Sequence, residues 1–494
     1  MTTRGTTPDL THDAVVVVPG IMGSALREAT GRRRVLWGLN DLRWLGRAWS
    51  GGGEGMRPLH LDYSERNGRY GRVEATGLLR LPAWAPFLQG LEPYGPLVAA
   101  VREKVADRAA VLEFAYDWRL PVQVNGALLA AASHRHLTAW RATEAHQRAR
   151  RHHPDGRPAQ LVFVAHSMGG LVTRAAFAHS PGLRPESRAV ITLGTPFLGA
   201  PKSALILNGD RASPALPQRR MQELAATLPG VHDLLPDYRC VDTGHGVTRL
   251  SPADVALLGG DKELASQAMK FQQSMRDPES PSLPGHSAVV GIDQPTVQSL
   301  RLDSGVVHAQ YVSFARDSTG NLSHDPDTGL PARRNRAGDG TVSRDSAASH
   351  PAAGTTWLPL QHGSLAKDGV ALAYVRAVLT GHDASLGPAL GSGTLGLQVP
   401  DHVEAGQPWL LRLLPSPGEE LDSHAGIACG VHNAEDDRLV DAPRPGWYDG
   451  TVAAPVTLPE PGLYRVRVAF GGGSPLTQLV LALPPAVRNR PQTP

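Results

Sequence analysis

The 494 residues include only two cysteines, Cys240 and Cys429, far apart and in no metal-ligand spacing. A disulfide framework is thereby excluded as an organising device. No stretch approaches the roughly 20 apolar residues that would cross a bilayer as a helix. No His-Glu-x-x-His or other clustered ligand spacing occurs, which leaves a metal hydrolase without support. Charge of one sign is also scarce: 49 Lys and Arg against 46 Asp and Glu leave a formal +3, too little to argue for nucleic acid. The 53 glycines and 42 prolines are spread without a repeat period and imply many loops. What is there is ordinary for a globular protein, 41% hydrophobic and 19% charged, with ample apolar surface for a large core. A chain of this length predicts two or three domains. The opening Met-Thr-Thr-Arg-Gly-Thr-Thr-Pro-Asp is polar and lacks a signal-peptide core, so a reducing cytoplasm is the expected setting.

One segment stands out. Leu161-Val-Phe-Val-Ala-His-Ser167-Met-Gly-Gly-Leu-Val-Thr-Arg174 places a serine between a buried-strand pattern and an amphipathic run. Strand, tight turn of small residues and helix describe an elbow that lifts a serine hydroxyl above the carboxyl edge of a parallel sheet. Ala165 replaces the first glycine of Gly-x-Ser-x-Gly, a mild change, and Gly169 and Gly170 keep the other side open. The competing reading is a serine that merely caps a helix.

The surrounding pattern supports the elbow. Ala14–Val18 is apolar on both faces, as a buried parallel strand requires. A helix at about 91–107, a strand at 110–115, a long helix at roughly 123–152, the elbow strand and a strand at 189–193 follow in order. This rhythm predicts an α/β-hydrolase fold, a doubly wound, mainly parallel sheet, over residues 1–386. Residues 26–90 read as a cap-like insertion and 200–285, without strand runs, as a lid-like segment. Strands at 288–291 and 307–314 and a final helix at about 364–379 close the unit. Beyond a Gly-rich linker at 387–393, short β-like runs separated by turn formers predict a small all-β immunoglobulin-like sandwich over 394–486.

A serine hydroxyl needs a histidine base, itself oriented by a carboxylate. In α/β-hydrolases these follow in the order Ser, Asp, His. Asp339 in Gly-Asp-Gly-Thr-Val and His362 in Gln-His-Gly-Ser fit as loop residues at strand ends; Asp345, His350 and His382 are their rivals. An oxyanion needs backbone N–H donors. Met168 would supply one. Ile21, with Met22 next, would supply the second from the glycine-bearing loop after Ala14–Val18, unless that loop is a plain turn.

Taken together, Val-Pro-Gly-Ile-Met-Gly-Ser at 18–24, Tyr116-Asp-Trp-Arg119, Ala-His-Ser-Met-Gly-Gly at 165–170, Leu193-Gly-Thr-Pro-Phe-Leu-Gly199, Gly-Asp-Gly-Thr-Val at 338–342 and the His362 loop resemble the lecithin:cholesterol acyltransferase-like family, lysosomal phospholipase A2 and its lipase relatives. The resemblance implies Ser167 as nucleophile, Asp339 as orienter, His362 as base and Ile21 as second oxyanion donor, with no cofactor. Tyr116–Arg119 looks like a structural signature without a catalytic role. The implied activity is that of a serine esterase of lipase or phospholipase type, or an O-acyltransferase, on acyl-ester or lipid substrates. The other class of function is a non-catalytic hydrolase-fold binding or scaffold module, working through a protein partner of the C-terminal sandwich. The segment Arg32–Trp49 mixes basic residues with three tryptophans. It reads either as a peripheral membrane or micelle contact through Trp44 and Trp49 or as a cap packed on the core.

Overall fold

The computed structural model describes residues 10–38, 55–86, 88, 90–153, 156–209, 216–277, 282–317, 321–382, 395–416, 420–421, 423–471 and 473–485. Its centre is built by segments that bury both faces. Ala14–Val18 (β1) is buried at every position, and so is Leu161–His166 (β3). With Val111–Glu113 (β2), Ser187–Leu193 (β4), His286–Gly291 (β5) and Gly354–Leu358 (β6) they form, among the described residues, a six-stranded sheet in the order β6-β5-β4-β3-β1-β2. All five pairings are parallel. Such a sheet needs helices on its faces. Gly95–Glu103 (α1), Val122–Arg141 (α2), Glu144–His152 (α3), Met168–His179 (α4) and Gly369–Thr380 (α5) flank it in sequence. The doubly wound α/β fold expected from the pattern is the fold observed.

Several local expectations require correction. The single helix over 123–152 is two, because the Thr143 hydroxyl accepts the His146 N–H and starts a new helix at Glu144. The last helix likewise divides: His362–Ala366 is a 3-10 turn, and Asp368 caps α5. The 26–90 insertion contains a three-stranded antiparallel sheet of Ser24–Glu28, Val35–Trp37 and Val73–Leu78. The 200–285 segment does hold strands, Arg239–Asp242 and Val247–Arg249. They join Ser299–Asp303 and Val306–Gln310 in a separate four-stranded sheet, so the 307–314 run stays outside the central sheet. The linker 387–393 falls outside the described residues.

The C-terminal region forms two facing sheets. Leu395–Gln398 (β7), His402–Glu404 (β8), Pro408–Pro415 (β9), Ala428–Asn433 (β10), Leu439–Asp441 (β11), Gly446–Tyr448 (β12), Thr451–Thr457 (β13), Gly462–Ala469 (β14) and Leu476–Leu483 (β15) are ordered β7-β9-β13-β12 and β8-β15-β14-β10-β11. Leu411, Leu413 and Val456 meet Val431, Val466 and Val480 between the sheets. The outer face of the second sheet is also apolar: Leu463, Leu479 and Leu481 pack into the core of the α/β unit. Polar contacts accompany that packing, with Trp84 Nε1 donating to Asp401 O at 2.8 Å and Gln294 Nε2 to Leu395 O at 3.0 Å.

Candidate active site

Ser167 stands between β3 and α4 with φ 54° and ψ −128°, a left-handed conformation that a side-chain-bearing residue adopts only under constraint. The constraint comes from both sides. Its N–H donates to Leu193 O of β4 at 2.9 Å, and Gly170 N–H donates back to Ser167 O at 3.0 Å. Gly20 presses against it: a Cβ there would lie 2.8 Å from Ser167 Cβ. Strand, strained serine and helix follow without an intervening residue, which is the elbow read from the sequence.

The structure brings Asp339 and His362 to this serine. His362 Nε2 is 2.8 Å from Ser167 Oγ, and His362 Nδ1 is 2.6 Å from Asp339 Oδ2. The other carboxylate oxygen of Asp339 accepts Thr341 N–H at 2.9 Å and Val342 N–H at 2.7 Å, so the turn after it orients the buried carboxylate. Thr296 Oγ1 accepts both Gly338 N–H and Gly340 N–H, fastening the loop. His362 N–H donates to Asp339 O at 2.8 Å, a second tie between the two loops. The rival residues lie elsewhere in the fold. Asp345 pairs with Arg334 and Arg336, His350 stacks on Phe197, and His382 bonds Thr380.

Met168 is the first residue of α4, where an amide N–H has no intrahelical partner. Ile21 lines the pocket that contains Ser167 and His362. It sits in a turn closed by Gly23 N–H to Gly20 O at 3.1 Å, with Met22 at φ 57°. Among the described residues neither the Met168 nor the Ile21 N–H has a hydrogen-bond partner.

Two site residues carry no signal that the sequence reading used. His166 Nε2 lies 3.0 Å from His362 O; a carbonyl only accepts, so Nε2 bears the proton. Its Nδ1 then accepts from Tyr94 Oη at 2.8 Å, and that oxygen accepts Gly20 N–H at 2.8 Å. The chain of bonds links the Gly20 loop to the His362 loop beneath the serine. Burial, followed by the proximity of His362, pushes the His166 imidazole down to about 3, so it is neutral as this bonding requires. A histidine next to the serine and a tyrosine at a helix start were the available clues. Lys202 also reaches the pocket: it is buried, donates from Nζ to Gly340 O at 3.1 Å, and burial lowers its pKa.

The pocket measures about 770 Å³ including its mouth, with Ile21, Leu88, Leu91, Ile206 and Leu234 among its walls. Leu88 belongs to the first insertion, with Leu91 just beyond its end, and Ile206 and Leu234 to the second, so both insertions contribute an apolar surface at the serine. Of the tryptophans in 32–49, Trp37 is fully buried, packs edge-on against Trp118 and donates to Met22 O at 2.7 Å. Trp44 and Trp49 lie outside the described residues. No helix of the described residues is long and apolar enough to cross a membrane.

A match to a known family model agrees with the motif resemblance. The lecithin:cholesterol acyltransferase family model matches residues 104–273, a span with Tyr116–Arg119, Ser167 and Met168 but without Asp339 or His362. Among solved structures, the Tle4–Tli4 complex aligns at 16% identity over 74% of this chain and 97% of that one, with a TM-score of 0.44. The Bacillus licheniformis lipase BlEst2 in its propeptide form aligns at 12% identity over 97% of this chain and 94% of that one, TM-score 0.32. Its mature form aligns at 15% identity over 77% and 96%, TM-score 0.28. Among curated proteins none matches.

Proposed function

We propose that this lecithin:cholesterol acyltransferase-like chain is a serine esterase of lipase or phospholipase type. Ser167 Oγ attacks the ester carbonyl while His362 Nε2 takes its proton. Asp339 keeps the other ring nitrogen protonated and stabilises the imidazolium that forms. Met168 N–H and Ile21 N–H receive the tetrahedral oxyanion; each such donor is typically worth about 10²–10³ in rate. Collapse of the intermediate breaks the ester C–O bond as His362 returns its proton to the leaving alcohol. The acyl-enzyme then passes to water, or to an acceptor alcohol, which makes the same site an O-acyltransferase.

The observation that carries this reading is the pair of contacts at His362, 2.8 Å to Ser167 Oγ and 2.6 Å to Asp339 Oδ2. The apolar walls of the pocket support an acyl chain as the group bound beside the serine. The decisive assay is fatty-acid release from p-nitrophenyl esters, triglycerides and mixed phospholipids, run with and without a long-chain alcohol. Wild type should release acid and label with a fluorophosphonate, and Ser167→Ala should lose at least about 10³-fold in rate and all labelling. Equal release by both proteins overturns the proposal, and a wild type that neither labels nor turns over favours the non-catalytic binding module. Acyl esters of the added alcohol would identify transfer.

A further inference from the structure

The loop that carries His362 is not held by the α/β unit alone. One residue before it, Gln361 Nε2 donates to Gln478 Oε1 of β15 at 3.0 Å, with both side chains buried. Two residues after it, Ser364 Oγ lies 3.0 Å from Thr477 Oγ1, also on β15. Lys367 Nζ then meets the buried Glu92 carboxylate at 2.6 Å, and Arg465 of β14 grips the same carboxylate through Nε and Nη2, both at 3.0 Å. Gln361, Ser364 and Lys367 thus each bear, directly or through Glu92, on the sandwich.

The same strand shapes an adjoining wall of the pocket. Gly90 has φ +79°, and a Cβ there would collide with Leu479 of β15. Its neighbours Leu91 and Glu92 line the pocket with Ser167 and His362. β15 therefore touches both the loop of the base and the wall beside it.

We propose that the C-terminal sandwich belongs to the scaffold of the active site, and that Thr477, Gln478 and Arg465 are positioning residues that set His362 against Ser167. The inference rests on the reading of His362 as the base. An apolar contact such as Leu479 would suffice to dock the sandwich. Buried polar pairs add direction, because each is satisfied only at one mutual placement of strand and loop. Misplacing a reacting group by 1 Å costs about 10²-fold in rate, so a modest drift of the loop is felt in turnover.

The test uses the full chain. Thr477→Val with Gln478→Leu keeps shape and removes the hydrogen bonds; Thr477→Ser keeps the hydroxyl and should restore function. kcat, KM and the rate of fluorophosphonate labelling are measured on a soluble p-nitrophenyl ester, with Tm alongside. The double variant should lose about 10- to 100-fold in kcat and labelling rate with KM within about twofold, and Thr477→Ser should match wild type. A kcat within about twofold of wild type, whatever happens to Tm, overturns the proposal and leaves the sandwich a purely stabilising domain. Where the double variant fails to fold, Thr477→Val alone carries the same comparison. His362→Ala is run in parallel: its inactivity upholds the base reading even if the sandwich variants are fully active, and its activity refutes that reading separately.

Discussion

Only a hydrogen on Gly20 leaves room for the Ser167 side chain. The Cα of this residue faces the elbow so closely that a Cβ would lie 2.8 Å from Ser167 Cβ and 3.3 Å from both Ser167 Oγ and His166 Nδ1. Neither neighbour can retreat, because Ser167 is clamped between β3 and α4 and His166 is bonded at both ring nitrogens. Gly20→Ala must therefore displace the loop that carries Ile21, and its own N–H would leave Tyr94 Oη. The expected result is a loss of about 10²-fold or more in kcat, the scale of a lost oxyanion donor. Stability should fall by only about 1–3 kcal/mol, the usual cost of overpacking. Kinetics and urea titration of the same preparation check both figures. An unchanged kcat would remove the Gly20–Ile21 loop from the reaction.

At the scale of elements, the segment Tyr116–Arg119 shows how a motif without catalytic atoms serves the site. Tyr116 Oη donates to Pro19 O at 2.9 Å, Tyr116 N–H to Ser24 Oγ at 3.1 Å, and Trp118 Nε1 to Ser24 O at 3.1 Å, so the turn grips both ends of the Gly20–Gly23 loop. Arg119 anchors the turn. Fully buried, it bonds Asp117 at 2.9 and 2.7 Å and Glu65 at 2.8 Å. Arg119→Met would strand the Asp117 carboxylate and leave Glu65 to Arg72 alone, at 2.6 Å, and should cost about 3–5 kcal/mol, read as a shift of the urea midpoint. A shift below about 1 kcal/mol would mean that water reaches the Asp117 carboxylate. What was legible in the sequence follows the same physics. Strands buried on both faces, such as Val-Val-Val-Val at 15–18, announce themselves as continuous apolar runs. Short strands such as Ser24–Glu28 and Arg239–Asp242 carry too few apolar residues to show an alternation. The site was legible because each loop combines a chemical residue with small neighbours at a strand end. Tyr94, His166 and Lys202 were not, since nothing local tells which buried polar residue meets a loop distant in sequence. The run Leu476-Thr-Gln-Leu-Val-Leu-Ala-Leu483 did hold a signal, an apolar strand on both faces, which announces a domain packed on something else as well.

For the molecule as a whole, the many buried imidazoles set the response to acid. Burial holds His166 and His350 down to about 3, with His362 the next cause for the first and Arg174 for the second. Burial also lowers His136, His146, His232 and His286. In the unfolded chain a histidine titrates near 6.5. Between about 3 and 6.5 the unfolded state therefore binds more protons, so the stability these groups contribute is complete above that window and drains as pH falls through it. Asp13, kept below the usual carboxylate range against its own burial by Arg157 and Arg188, adds a loss only in stronger acid. Asp233 acts in the opposite sense. Burial lifts its carboxyl to about 7, so the folded state binds its proton more tightly and gains on the acid side between about 4 and 7. Burial raises Asp237 in the same sense, yet two carboxyls against several imidazoles leave a net loss: Tm should fall by about 2–5 °C between pH 7 and pH 4.5. Asp233→Asn, which keeps an acceptor for Val122 N–H while removing the titrating proton, should steepen that fall. Calorimetric scans of both proteins across the range decide the matter, and a Tm that holds level or rises toward pH 4.5 would mean that the imidazoles are already accessible to solvent in the folded state.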